Sequence, residues 1–236
     1  MKDNNTQFDS IAREYDEVLK KNLGTADIEK FAEYKIELLK KILKENEINS
    51  ILDFGCGTGR SFPYLRKHFP ISTLYGCDVS TESLKVAAEI IPDENLFVNG
   101  SADEIKRFGK HYDLIIATCV FHHISPEERL LWIKACFENL SQNGFFAIFE
   151  HNMKNPFTKK IVTRAEEDNV DWMIRKNFLE GLMTKAAGIN GRLYWSGYTL
   201  FSPIRFPGIL SVEQLLKNIP LGAQYCTIIQ KQQVTS

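Results

Sequence analysis

The sequence predicts an α/β fold, a parallel sheet with helices on both of its faces. Three observations predict it. Strand-like and helix-periodic segments alternate, with short links, from residue 27 to about residue 150, the pattern of repeated strand–helix–strand units. Residues 112–119 are a near-continuous apolar run, as expected of a strand covered on both faces of a parallel sheet. A glycine cluster, Gly55-Cys56-Gly57-Thr58-Gly59, stands between the first strand and the helix after it.

Each element has its own signal. Ile28, Phe31, Ala32, Ile36, Leu39, Ile42 and Leu43 recur at helical spacing, which predicts an amphipathic helix over 27–46. A strand follows over 48–54, a short helix over 60–69 and a strand over 73–77. Helical periodicity then covers 81–91, and 96–98 is a short strand. Ser125-Pro126-Glu127-Glu128 supplies a cap residue, a proline suited to the first helical position and acids for the first turn. That helix should run to about 140, with Asn143-Gly144 turning the chain into a strand over 145–150. Beyond lie helical segments over 156–164 and 171–187, the latter stopped by Gly188. Strands are expected over 192–201 and 224–230, with a short helix near 211–218. The organisation implied is one domain: a helical cap (1–46), a ligand-binding half (47–151) and acceptor-side helices with the final strands (152–236).

Composition bounds the function. The 236 residues carry 29 basic and 30 acidic side chains, a net charge of -1. That speaks against a protein coated in positive charge for nucleic acid. The longest nearly apolar run, 114–121, is too short to span a bilayer. The start of the chain has no apolar stretch resembling a secretory signal. Five scattered cysteines without a CxxC pair read as reduced thiols of a cytoplasmic protein, with no metal site expected.

In open parallel sheets ligands bind beyond the carboxyl ends of the strands. Leu52-Asp53-Phe54-Gly55-Cys56-Gly57-Thr58-Gly59 ends one such strand. Its glycines let a ligand approach bare backbone and point free N–H groups at an anion. The dinucleotide fingerprint places its third glycine five positions after the first. Here that position is Arg60, and the third glycine is Gly59. The spacing suits a smaller anion such as an amino-acid carboxylate, with Asp53 near for an ammonium group, and argues against a nicotinamide oxidoreductase. Asp78, in Gly76-Cys77-Asp78-Val79-Ser80, ends the next strand, where an acid can accept two hydrogen bonds from a ribose diol. An amino-acid end and a ribose without phosphate describe S-adenosylmethionine.

LDFGCGTG, the downstream CDVS, NGSADEI and YDLIIATCVFHHI together resemble the class I, Rossmann-like, S-adenosylmethionine-dependent methyltransferases over roughly residues 8–151. The resemblance implies a seven-stranded, mostly parallel sheet whose last strand is antiparallel, and S-adenosylhomocysteine as the product of the cofactor. It implies that Gly55, Cys56, Gly57 and Gly59 line the methionine part, with Asp53 near the ammonium. Asp78 should hold the ribose and Val79 should lie against the adenine. Ser101 and Ala102 should sit at the adenine edge, Cys119 under the methionine chain, and Tyr15, in an N-terminal segment folded over the site, against the cofactor. The family often has an acid where this chain has Ser101, and Asp103 stands two residues on.

Methyl transfer from a sulfonium is an in-line displacement, so the protein mainly aligns the acceptor and excludes water. Where the acceptor is a hydroxyl, a base can assist. His122, His123 and His151 stand at strand ends on the expected cofactor side and are the candidate bases. Glu150 is a further candidate. Members that methylate amides and base amino groups carry an Asn/Asp-Pro-Pro-aromatic motif where this chain reads Cys119-Val120-Phe121-His122, which argues against nucleic acid, adenine and glutamine acceptors.

The charge is uneven. Residues 1–150 carry 18 basic and 24 acidic side chains, and residues 151–236 carry 11 and 6. Lys154, Lys159, Lys160, Arg164, Arg175 and Lys176 are interleaved with or followed by aromatic residues. This suits an anionic or lipid-linked acceptor, or a peripheral membrane contact through the basic 154–176 segment. Segments 150–158 and 220–225 look similar to a bacterial subgroup linked to cell-surface saccharide or lipid modification. The expectation is O-methylation of a small-molecule, saccharide or lipid-linked acceptor. C- or N-methylation of a small metabolite, or binding of the cofactor without turnover, are the alternatives.

Overall fold

A computed structural model describes residues 29–92, 95–98, 101–106, 111–165, 168–201 and 208–233. The elements are α1 (Glu29–Leu43), β1 (Ser50–Phe54), α2 (Phe62–His68), β2 (Thr73–Asp78), α3 (Thr81–Ala87), β3 (Leu96–Val98), β4 (Tyr112–Thr118), α4 (Arg129–Glu138), β5 (Leu140–His151), α5 (Pro156–Val162), α6 (Lys176–Ala187), β6 (Gly191–Thr199), α7 (Ile209–Leu216) and β7 (Gln224–Lys231). The strands make one seven-stranded sheet in the order β3-β2-β1-β4-β5-β7-β6. β1 pairs parallel with β2, and β2 with β3. β7 runs antiparallel to both β5 and β6. The mostly parallel sheet with an antiparallel last strand is the predicted one.

The chain divides into two compact units, Met1–Ile116 and Ala117–Ser236. In the first, α1 buries Ala32, Ile36, Leu39 and Leu43 of the predicted stripe and also Tyr34, Lys35 and Leu38 outside it, while Phe31 and Ile42 are only half-buried. Ile51, Leu52, Phe62, Leu65, Cys77 and Leu114 complete a core closed to solvent. Gly76 leaves room in β2 that Phe62, Cys56 and Leu96 fill; a Cβ there would lie 2.7 Å from the Phe62 ring. In the second unit, Phe145, Phe146 and Phe149 of β5 are buried, as are Phe121, Ile133, Leu179, Met183, Cys226 and Ile228, and the Phe121 and Phe146 rings lie 6.1 Å apart.

Some boundaries differ from expectation: the helix expected over 171–187 starts only at Lys176, after a separate short turn over Val170–Trp172. The helix beginning near Ser125 takes one turn first and becomes α-helical at Arg129; the Ser125 hydroxyl donates to Glu128 at 2.6 Å. Asn143-Gly144 does not start β5 but lies inside it, because Asn143 adopts φ +63 and its carbonyl accepts a bond from Gln230 of β7.

Candidate functional site

The first unit holds a loop and two carboxylates. The turn leaving β1 takes φ +73 at Gly55, +52 at Gly57 and +81 at Gly59, the left-handed region that glycine enters at little cost. The N–H groups of Gly55 and Cys56 both donate to the Cys77 carbonyl, at 2.8 and 2.9 Å, so the turn is fixed to the end of β2. Asp78 continues that anchoring: one oxygen accepts from the Gly57 N–H at 2.8 Å and the other from the Ser80 N–H at 2.9 Å. Ser80 also caps α3, accepting from the Ser83 N–H at 3.0 Å.

Asp53 is 1% exposed, and its Oδ2 has no hydrogen-bond partner among the described residues. Burial pushes its pKa up to about 7; Asp78 adds to the rise, while a Ser61 bond and Lys35 oppose it. Burial, then the charges of Asp53 and Asp78, push the Cys56 thiol well above its usual value, so it is a neutral packing group. An orphaned Asp53 oxygen beside open space at Gly57 fits an amino-acid ammonium, whereas the free N–H groups expected to face an anion are not supplied by Gly55, Cys56, Gly57 or Gly59, whose N–H groups all bond within the chain. Val79 is half-buried. Ser101 is exposed, its N–H bonded to Glu104 at 2.9 Å, and Ala102 opens the short turn after it. Tyr15 lies outside the described residues.

The glycines divide by role. A Cβ on Gly59 would lie 2.8 Å from the Phe62 ring and 3.2 Å from Ala87, on top of the positive φ. Gly59→Ala should therefore destabilise the chain by about 2–5 kcal/mol. A Cβ on Gly57 would meet nothing within 4 Å. Gly57→Ala should cost only the left-handed strain, about 1–2 kcal/mol, yet weaken the expected cofactor by roughly tenfold or more by covering the bare backbone. Thermal melts with and without cofactor separate the two.

The second unit holds a histidine cluster. Cys119 takes φ +57; its N–H donates to the Phe149 carbonyl at 2.8 Å and its sulfur accepts from Gln224 at 3.3 Å. The short turn Phe121–His123 follows. His122, 1% exposed, contacts Glu150 through Nδ1 at 2.6 Å and Asp168 through Nε2 at 3.1 Å. Glu150, equally buried, accepts the Phe121 N–H with its other oxygen at 2.8 Å. Burial alone would lower the His122 pKa, but the charge of Glu150 and the bonds to Asp168 and Glu150 together raise it to about 10. Glu150 and Asp168 are held below their ordinary values despite burial, chiefly by His122. His123 is pushed down to about 3, first by burial and then by the neighbouring His122 charge. The His151 ring lies 5.2 Å from that of His122, and its side chain is half-buried.

Arg129 pins this turn. It is 3% exposed, and its Nε donates to the Phe121 and Ile124 carbonyls at 3.0 Å each, while Nη2 donates to the Trp172 carbonyl. Sequence reasoning missed Arg129 and Asp168, and took Glu150 only as a base. Ligand atoms of His122, His123 and Asp168 lie within 4.8 Å of one another, as do those of Glu33, Glu37 and His68. In the first group both nitrogens of His122 already meet carboxylates, so protons satisfy it.

Residues 52–146 match the family model of a methyltransferase domain. The chain is 27% identical over 216 residues to malonyl-[acyl-carrier protein] O-methyltransferase of Halalkalibacterium halodurans, covering 83% of this chain and 74% of the relative. It is 28% identical over 153 residues to demethylmenaquinone methyltransferase of Thermotoga maritima, covering 65% and 62%. The fold is similar to that of the plantazolicin methyltransferase BamL, solved with a desmethylPZN analogue and SAH. The TM-score is 0.70 over 98% of this chain and 96% of that one, at 16% identity.

Proposed function

We infer the acceptor and the chemistry from one premise: the chain belongs to the class I S-adenosylmethionine-dependent methyltransferases. When bound, S-adenosylmethionine supplies an electrophilic methyl group. Asp53 with Gly55, Cys56, Gly57 and Gly59 would hold its amino-acid part and Asp78 its ribose. Val79, Ser101 and Ala102 would flank the adenine, and Cys119 the methionine chain. The observation that carries this reading is the orphaned Asp53 oxygen beside a bare glycine loop that Asp78 anchors.

The reading assigns transfer to oxygen of a small-molecule acceptor, with saccharide and lipid-linked acceptors in the same class. The relative from Halalkalibacterium, named as an O-methyltransferase, supports oxygen. Alignment of acceptor and methyl supplies most of the rate, since positioning can lower a barrier by about 7–11 kcal/mol. His151 takes the acceptor proton. His122 has both nitrogens committed, and His123, driven down to about 3, is too weak a base near neutrality. These two position the site, and His151 is the remaining imidazole of the cluster. The chain works as a single domain in the cytoplasm. All five cysteines are free thiols, which suits a reducing compartment. No helix among the described residues is long and apolar enough to cross a membrane.

The test is S-adenosylhomocysteine release over a panel of hydroxyl, carboxyl, amine and activated-carbon acceptors. Turnover should appear with an oxygen acceptor. His151→Ala should lower kcat by about 10²–10⁴-fold and leave cofactor affinity unchanged. Turnover only with carbon or nitrogen acceptors would overturn the oxygen assignment. Tight cofactor binding without turnover on any acceptor would favour a non-catalytic binding protein.

A further inference from the structure

Large apolar side chains stand exposed on one part of the second unit. Phe157 on α5 is 76% exposed, Leu221 61% and Leu215 on α7 85%; Val212 and Ile219 are 46% and 43% exposed. Hydrogen bonds bring the first two together. The Asn155 side chain accepts from the Phe157 and Thr158 N–H groups and donates to the Leu221 carbonyl at 2.5 Å. Thr158 donates to the Ala223 carbonyl at 2.9 Å, and Asn152 to those of Pro220 and Gly222 at 3.1 and 2.7 Å. The 220–223 segment is thus stitched to the start of α5. The Ile219 N–H donates to the Leu216 carbonyl, which continues the outward side of α7, where 212, 215 and 219 share a face by spacing. The inward side of α7 is already used: Ile209 and Glu213 are buried, and Glu213 accepts the Phe201 N–H at 2.8 Å.

The α5 segment itself is basic, ahead of the acids at 166–168. Lys154, Lys159, Lys160 and Arg164 are exposed, and no acid occurs in 152–165. Over 208–223 the one acid is the buried Glu213. Protruding apolar side chains on and beside a cation-rich helix are features that bind an anionic bilayer, through insertion and Coulomb attraction together. A second copy fits poorly, since a two-fold contact would place this face against itself and set like charges together. Lysine is also depleted at protein interfaces.

We propose that α5, the 219–223 segment and the outward side of α7 form a docking face for an anionic lipid bilayer. The proposal goes beyond the acceptor reading and stands apart from it, because lipid binding is measured without turnover. The test is co-sedimentation of the full chain with vesicles of phosphatidylcholine, alone or with about 30% phosphatidylglycerol. The wild-type chain should partition at least about tenfold better onto the anionic vesicles, and lose that advantage at high salt. Lys159→Gln with Lys160→Gln should weaken partitioning roughly 25-fold, at about fivefold per cation. Phe157→Ser should weaken it by about tenfold or more, with cofactor binding retained in both variants. Failure of the wild-type chain to sediment, or equal binding by the variants, would overturn the proposal. So would a doubled mass in solution that Phe157→Ser returns to monomer, which would assign the face to self-association.

Discussion

Asp78→Ala should raise the dissociation constant for S-adenosylmethionine by about 100-fold. Hydrogen bonds to a charged group contribute roughly 1.5–3 kcal/mol each. In the proposed role the carboxylate holds the ribose diol while also accepting the Gly57 and Ser80 N–H groups. Its removal takes away the diol contacts and slackens the glycine turn at Gly57, so both halves of the ligand lose affinity. The turn keeps its other anchor, the bonds from Gly55 and Cys56 to Cys77, and the variant should still fold. Calorimetric titration of the folded variant reads the effect, and an unchanged affinity would reject Asp78 as the ribose ligand.

Glu150→Ala should destabilise the chain by about 3–5 kcal/mol, because breaking a buried pair leaves the other charge without its partner. At this chain length that lowers Tm by roughly 6–20 °C. One other bond goes with it: the Phe121 N–H loses its acceptor, while His122 is left with Asp168. The pH dependence has a definite sign. His122 rises from an ordinary 6.5 to about 10 on folding, so its contribution is complete below about 6.5 and is lost as pH rises through about 10. Glu150 falls below its ordinary 4.5, so its contribution is complete above about 4.5 and is lost as pH drops through its lowered value. The pair stabilises most between about pH 4.5 and 6.5. In chemical denaturation from pH 6 to 10, Glu150→Ala should flatten the alkaline decline of the wild-type chain. A variant with unaltered stability and the same pH profile would contradict the charged-pair account.

Much of the fold was legible because its signals are local. The apolar run over 112–119 became β4, Tyr112–Thr118, since a strand covered on both faces needs apolar residues at nearly every position. Asn143-Gly144 misled because a turn dipeptide also tolerates the positive φ that β5 needs at Asn143, where bonding to β7 decides the outcome. The candidate site was legible in position where it follows chain spacing: the glycines, Asp53 and Asp78 sit at strand ends that the sequence marks. It was not legible where a partner is distant. Asp168 reaches His122 from 46 residues away, out of a segment with no periodicity. Arg129 read as an ordinary helix residue, and its role comes from carbonyls that only the folded turn presents. The left-handed Cys119 leaves no trace in composition.

The most direct measurement is calorimetric titration of the wild-type chain with S-adenosylmethionine and, separately, with NADH. Saturable one-to-one heat with the sulfonium ligand and none with the dinucleotide is the expected result. Binding of NADH, or of neither, would contradict the assignment of the glycine turn and Asp78 to this cofactor.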